Sequence, residues 1–104
     1  MGIRDIIAEA AAHAAYESIR AFARAEGEEV WPAWDLLDDE TRHAVLDRAI
    51  DALSGNGDMR QRYLEHRAPD APATWDDLPE TERRSDELFT RVARATAKIL
   101  GGLE

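Results

Sequence analysis

Apolar residues recur at helical spacing over three long stretches of this chain, and the residues between them supply starts and stops. From Ile3 to about Ala25, projection at about 100° per residue puts Ile3, Ile7, Ala11, Ala14, Ala15, Ser18, Ile19 and Phe22 on one broad stripe. Glu9, His13, Tyr16, Arg20 and Arg24 fall on the opposite face. The many alanines favour helix and permit close packing, and Gly27 ends the element. A second helix is predicted to start near Asp38 and Asp39, whose carboxylates suit the free N–H groups and the positive end of the dipole. Its buried side is expected to be Ala44, Val45, Leu46, Ala49, Ile50 and Leu53; Ser54 to Gly57 stop it, with Gly55 or Gly57 suited to the left-handed conformation.

Between Asp58 and Arg67 the pattern predicts a short helix with Met59, Tyr63 and Leu64 facing inward. Arg67 to Thr74, with two prolines, reads as a surface loop. In the last helix, Pro79 suits the first turn, Glu80 and Glu82 follow it, and Leu88, Phe89, Val92, Ala95, Ile99 and Leu100 form the apolar stripe. Arg91, Arg94 and Lys98 complement the dipole at its far end, and Gly101-Gly102 terminates it. With no alternating apolar runs, the fold class is all-α: a small irregular or orthogonal bundle of three long helices and one short helix, in a single domain over residues 1–104.

Two of these helices begin alike. WPAWDLLDDETR (Trp31 to Arg42) is echoed by TWDDLPETERR (Thr74 to Arg84), with Trp34, Asp35, Leu37 and Arg42 matching Trp75, Asp76, Leu78 and Arg83 at one constant offset. Two copies are too few for a solenoid, so they read as two similar ways of starting a helix within one domain. Trp31 and Trp34 flank Pro32 in an extended or turn segment, because the residue before a proline is pushed out of the helical region. Each tryptophan has two readings: an anchor of its loop on the core, or the flat wall of a ligand pocket. Each early arginine likewise reads as an intrahelical partner of the nearby acids or as an anion contact.

Charge narrows the function classes. The chain has 22 acidic and 13 basic residues, a formal net charge of −9, which disfavours direct binding to nucleic acid or to anionic membrane surfaces. Every charged residue from Glu26 to Glu40 is acidic, whereas Arg60, Arg62 and Arg67 cluster in the middle of the chain and Arg83 to Lys98 mark the last helix. The absence of cysteine excludes disulfides, thiolate metal sites and a cysteine nucleophile. Asp5 and Glu9 interrupt the apolar positions of the first helix, so neither a signal peptide nor a spanning helix is expected, and the protein reads as cytoplasmic.

No enzyme chemistry is visible. Asp38 with Asp39, and Asp76 with Asp77, are sequence neighbours that diverge on a helix, and His13, His43 and His66 have no metal-ligand spacing. His13, with Glu9 and Tyr16 nearby, lacks a placed nucleophile and reads as a rim histidine. No cofactor is expected.

The stretch IAEAAAHAAYESIRAFARAEGEEVWPAWDLLDDETRHAVLDRAIDAL resembles the first half of small phage and prophage proteins carrying a ryanodine-receptor (RyR) type domain, and WDDLPETERRSDELFTRVARA resembles their closing helix. The match rests on His13, Gly27, Trp34, Leu78, Pro79, Glu80, Arg83, Asp86, Leu88, Phe89, Arg91 and Arg94. The glycine-tryptophan-tyrosine-glycine and histidine-proline segments that members carry between these halves are absent from NGDMRQRYLEHRAPDAPAT. The resemblance implies a non-enzymatic phage or prophage accessory protein that binds a nucleotide-type ligand or a host protein. Its candidate ligand contacts are Trp31, Trp34, Trp75, Arg42, Arg83 and Arg84. The alternative is an acidic, DNA-mimic-like inhibitor presenting Glu26, Glu28, Glu29, Asp35, Asp38, Asp39 and Glu40 to a basic host protein. The alanine-rich stripe of the first helix further leads us to expect a homodimer.

Overall fold

A computed structural model of the chain describes residues 3–28, 30–54 and 59–101. Among them are four α-helices and no strand, the all-α bundle that the patterning predicts. The helices are α1 (Ile3–Ala25), α2 (Asp39–Leu53), α3 (Met59–His66) and α4 (Glu80–Ile99), and short 3-10 turns at Trp34–Leu36 and Trp75–Asp77 lead into α2 and α4.

Helix α1 is the centre of the molecule. It packs along α4 over the most extensive helix interface and against α2 over the next, while α2 closes on α4. Alanine makes this close association workable: Ala11, Ala12 and Ala15 of α1 share one core with Ala49 and Ala52 of α2 and Ala93 of α4. Small side chains let backbones approach, and Tyr16, Ile19, Trp34, Leu37 and Phe89 fill the remaining volume. Helix α3 lies outside this core and packs chiefly against the second 3-10 turn and α4.

The helix ends follow the expected chemistry. Gly27, at φ 79°, closes α1, with the Glu28 N–H donating to the Ala23 carbonyl at 3.0 Å. Asp38 caps α2 by accepting the Thr41 N–H at 2.7 Å, and hydrogen bonding from the Thr41 side chain first, and from this N–H second, holds its carboxyl below the usual value. Pro79 stands one position before the first turn of α4, as its N-cap. Gly101, at φ 85°, ends that helix, and its N–H donates to the Lys98 carbonyl. Gly55, Gly57, Gly102, Glu29 and the side chain of Ile3 lie outside the described residues.

Several buried faces differ from the projection. Tyr16, expected opposite the apolar stripe of α1, is buried, and Ala8, Ala12 and Ala23 are buried with it. The reason is that the tryptophan segment crosses this side of the helix, so α1 is covered over a wider arc than a two-neighbour helix. Ala44, Ile50 and Leu64 are exposed rather than inward-facing. In α4 the buried stripe runs through Phe89, Thr90, Ala93 and Ala97; Ala95 is exposed and Ile99 is 84% exposed because both project away from that face, and Leu100, the C-cap residue, is exposed. The stripe of α1 that pointed to a homodimer is covered within the chain by α2 and α4.

Candidate functional site

The motif that repeats in sequence folds the same way twice. Each tryptophan opens a 3-10 turn, and the leucine three residues on, Leu37 or Leu78, donates its N–H to the tryptophan carbonyl at 3.2 or 3.1 Å. Both leucines are extended, which turns the chain into the next helix. The preceding helix ties the segment down from outside. Tyr16 donates its hydroxyl to the Pro32 carbonyl at 2.6 Å, and Arg20 Nε donates to the Trp31 carbonyl at 2.9 Å. In the second copy Tyr63 donates to the Pro72 carbonyl at 2.6 Å, and Arg67 Nη1 donates to the Ala71 carbonyl at 3.2 Å. A tyrosine and an arginine one helical turn apart thus hold consecutive carbonyls ending in a proline, in both copies. Sequence comparison misses this pairing because the linking segments differ in length and Pro32 and Pro72 stand at different distances from their tryptophans.

Most of the residues singled out as ligand contacts serve these turns. Trp34 is only 5% exposed; the His13 ring stacks on it at 5.3 Å, and the Arg42 guanidinium lies 5.7 Å from its centroid. Arg42 Nη2 donates to the carbonyls of Trp34, Asp35 and Leu37 at 3.2–3.4 Å, so this arginine reaches back to the turn instead of pairing within its helix. Trp75 is 3% exposed, its Nε1 donates to Asp86 at 2.8 Å, and Arg60 sits 5.0 Å over its ring. Arg60 also grips Asp76 with two bonds of 2.9 and 3.0 Å. That pairing, helped by the charges of Arg60 and Arg83, lowers the Asp76 pKa.

The Nε groups of Arg42 and Arg83, the matching arginines of the two copies, are both buried without a hydrogen-bond partner. Arg84 pairs with Glu80 across one turn at 2.7 Å, both exposed. The candidates therefore fall into two groups, one around each turn, and are not gathered at one site. Trp31 differs from the other two tryptophans. It is half-buried, tilts against Tyr16 at 6.1 Å, and lines a hollow of about 340 Å3 with Glu17, Arg20, Arg24 and Val30.

The described acidic candidates lie on the surface. Glu26, Glu28, Asp35, Asp38, Asp39 and Glu40 are all exposed. Two apolar side chains of the same stretch are also exposed: Val30 is 73% exposed and Leu36 is 77% exposed. Leu36 occupies the place that Asp77 holds in the second copy, where the carboxylate accepts both the N–H and the hydroxyl of Thr74, at 3.2 and 2.8 Å. Leucine does no such structural task.

A larger concavity, of about 540 Å3, opens between α2, α3 and α4. Arg48 lies 4.2 Å over the Phe89 ring and pairs with Asp86 at 3.3 Å, while Arg62 donates to Thr90 at 2.8 Å with its Nη1 buried and unpartnered. Residues far apart in the chain meet here, and no spacing rule linked Arg48 to Asp86. Among the described residues, no group of three or more histidines and carboxylates is placed to hold a metal ion. No described helix is long and apolar enough to cross a membrane.

Comparison of the chain with protein-family models, with curated proteins and with solved structures finds no match in any of the three.

Proposed function

We propose that this chain is a non-enzymatic binding protein that docks a basic protein partner through the edge running from Glu26 to Glu40. The observation that carries this reading is Leu36. It is an exposed leucine at a position where the other copy of the motif uses a structural aspartate, in a stretch whose charged residues are all acidic, and Val30 of the same stretch is also exposed. Exposed apolar side chains within an acidic stretch suit a partner that carries positive charge beside an apolar centre. Trp31, half-buried beside Val30, supplies the aromatic anchor that interfaces favour. This is the acidic-inhibitor reading with an apolar centre added, and mimicry of DNA by charge alone does not account for Leu36.

A nucleotide-type ligand, the expectation from the RyR-type resemblance, is the second reading, and the hollow at Trp31 favours it. An aromatic face stands there beside Arg24. Against it, Arg20 is already engaged by Glu17 at 2.8 Å and by the Trp31 carbonyl, and the adjoining segment is acidic. A phage or prophage accessory role fits either reading.

The test is affinity capture from a host extract, followed by titration of the purified captured protein against wild type, Leu36→Asp and Val30→Asp. Binding weakened by about tenfold or more in each variant, and falling with salt, is the expected result. Equal binding by both variants overturns the reading. A saturable thermal shift with a mononucleotide, lost in Trp31→Ala, would move the nucleotide reading to first place.

A further inference from the structure

The three most exposed large apolar side chains among the described residues are Ile99 at 84%, Leu36 at 77% and Val30 at 73%. Each falls in a stretch charged with one sign. Leu36 and Val30 lie between Glu26 and Glu40, where every charged residue is acidic. Ile99 closes the second half of α4, and from Leu88 to Ile99 every charged residue is basic: Arg91, Arg94 and Lys98. Arg91 and Lys98 are seven residues apart, two helical turns, so they share one face, and both are exposed. Ala95 stands exposed between them, and Ile99 follows one turn beyond Ala95. Among the described residues neither cation holds a hydrogen bond or an ion pair. Arg94 differs, since its Nη1 donates to the Ala52 carbonyl at 3.0 Å.

The two surfaces stand at opposite ends of the molecule. Arg48 of α2 pairs with Asp86 of α4, and four residues further along α2 the Ala52 carbonyl meets Arg94, so the two helices run in the same direction. Leu36 precedes the start of α2, whereas Ile99 lies past the level of its end. Helix α2 has 15 residues and is about 22 Å long, so the acidic and the basic surface of one chain are held apart. Each is left for a different molecule.

We propose that the chain associates with a second copy of itself head to tail. Ile99 and Ala95 of one copy pack on Leu36 and Val30 of the next, while Arg91 and Lys98 pair with the carboxylates of the Glu26–Glu40 stretch. Charge complementarity selects a second copy as the occupant, because each surface supplies what the other lacks: cations against carboxylates, with apolar side chains in both. The contact joins unlike surfaces, and so differs from a twofold pairing of α1 through its alanines. The net charge of −9 opposes the approach of two copies, but at about 150 mM salt the Debye length is about 8 Å, so distant charges are screened while those in contact still attract. This inference rests on the reading of the Glu26–Glu40 stretch as a docking surface and names one partner for it.

The experiment is sedimentation equilibrium of the full chain at about 150 mM sodium chloride, from about 10 μM to about 1 mM, the range in which a small interface associates. The expected result is an average mass that rises above 11.6 kDa with concentration and falls back at about 1 M salt, where the Debye length is about 3 Å. Leu36→Asp and the double variant Arg91→Glu, Lys98→Glu are each expected to stay at the monomer mass. All three residues are exposed, so circular dichroism should show wild-type helix content in both. Mixed in equal amounts, the two variants should associate again, because the intact α4 of the first meets the intact Leu36 of the second. A wild-type chain that stays monomeric over the range, variants that associate as wild type does, or a mixture without recovery overturns the proposal. A monomeric wild type whose capture of a host protein is still lost in Leu36→Asp overturns self-association and leaves the docking reading standing. Self-association lost in Leu36→Asp while host-protein capture is unchanged supports the proposal and removes the host protein instead.

Discussion

Tyr16 carries more of the local structure than its place in the helical pattern implies. Its ring is buried against Trp31 and Trp34, and its hydroxyl donates to the Pro32 carbonyl, fixing the segment that leads into α2. Burial raises its pKa, the neighbouring Glu17 adds to this, and Arg20 opposes it. A folded-state pKa above the unfolded value means that the contribution of Tyr16 is complete below about pH 10 and is lost as pH rises beyond it. Tyr16→Phe is expected to cost about 0.5–1.5 kcal/mol at neutral pH, the net worth of one hydrogen bond. Between pH 9 and pH 11 the variant should lose stability less steeply than wild type; urea unfolding across that range checks both statements. Parallel slopes would show that the alkaline loss comes from other groups. In the sequence a tyrosine on the polar arc of a helix reads as solvent-facing, and only the chain crossing above it makes it core.

At the scale of elements, the two tryptophan turns have the same internal geometry and different surroundings. Trp34 belongs to the main core with Phe89 and the alanines of α1, α2 and α4, whereas Trp75 is buried outside that cluster, between α3 and the start of α4. Trp34→Ala is therefore expected to lower global stability by about 3–5 kcal/mol, a large part of what a domain of this size possesses. Trp75→Ala is expected to release α3 first. Hydrogen exchange should show lost protection confined to α3 and the second turn at temperatures where α1 and α4 remain protected. Uniform loss of protection along the chain in Trp75→Ala would contradict this. The likeness of the turns was legible from tryptophan, aspartate, leucine and arginine at matched positions. Their unequal roles were not, because packing partners on α1 and α4 are set by how the helices meet.

For the molecule as a whole, the formal net charge of −9 is the dominant long-range term. The ion pairs Arg84–Glu80 and Arg60–Asp76 are largely exposed and worth little individually, so self-repulsion outweighs them at low ionic strength. Raising sodium chloride from about 10 mM to about 150 mM shortens the Debye length from about 30 Å to about 8 Å, which is less than the width of the molecule. The melting temperature should rise over this range. A fall would mean that the surface ion pairs outweigh the repulsion, contrary to their exposure.

Local chemistry was readable along the chain. Gly27 and Asp38 end and begin helices through properties that any neighbour would leave unchanged: a glycine free of a Cβ penalty and a carboxylate within reach of an N–H. The helical periods and the repeated tryptophan motif belong to the same class of information, since each depends on residues within a few turns. Which faces those helices bury was decided only when they met. The projection of α4 left Ile99 on its apolar stripe, but the face that became buried is the one through Phe89, Thr90, Ala93 and Ala97, from which Ile99 points away. The cleft between α2, α3 and α4 has the same origin. Its facing carboxylates are distant in sequence, and the space between them follows from a short helix standing where its counterpart is long.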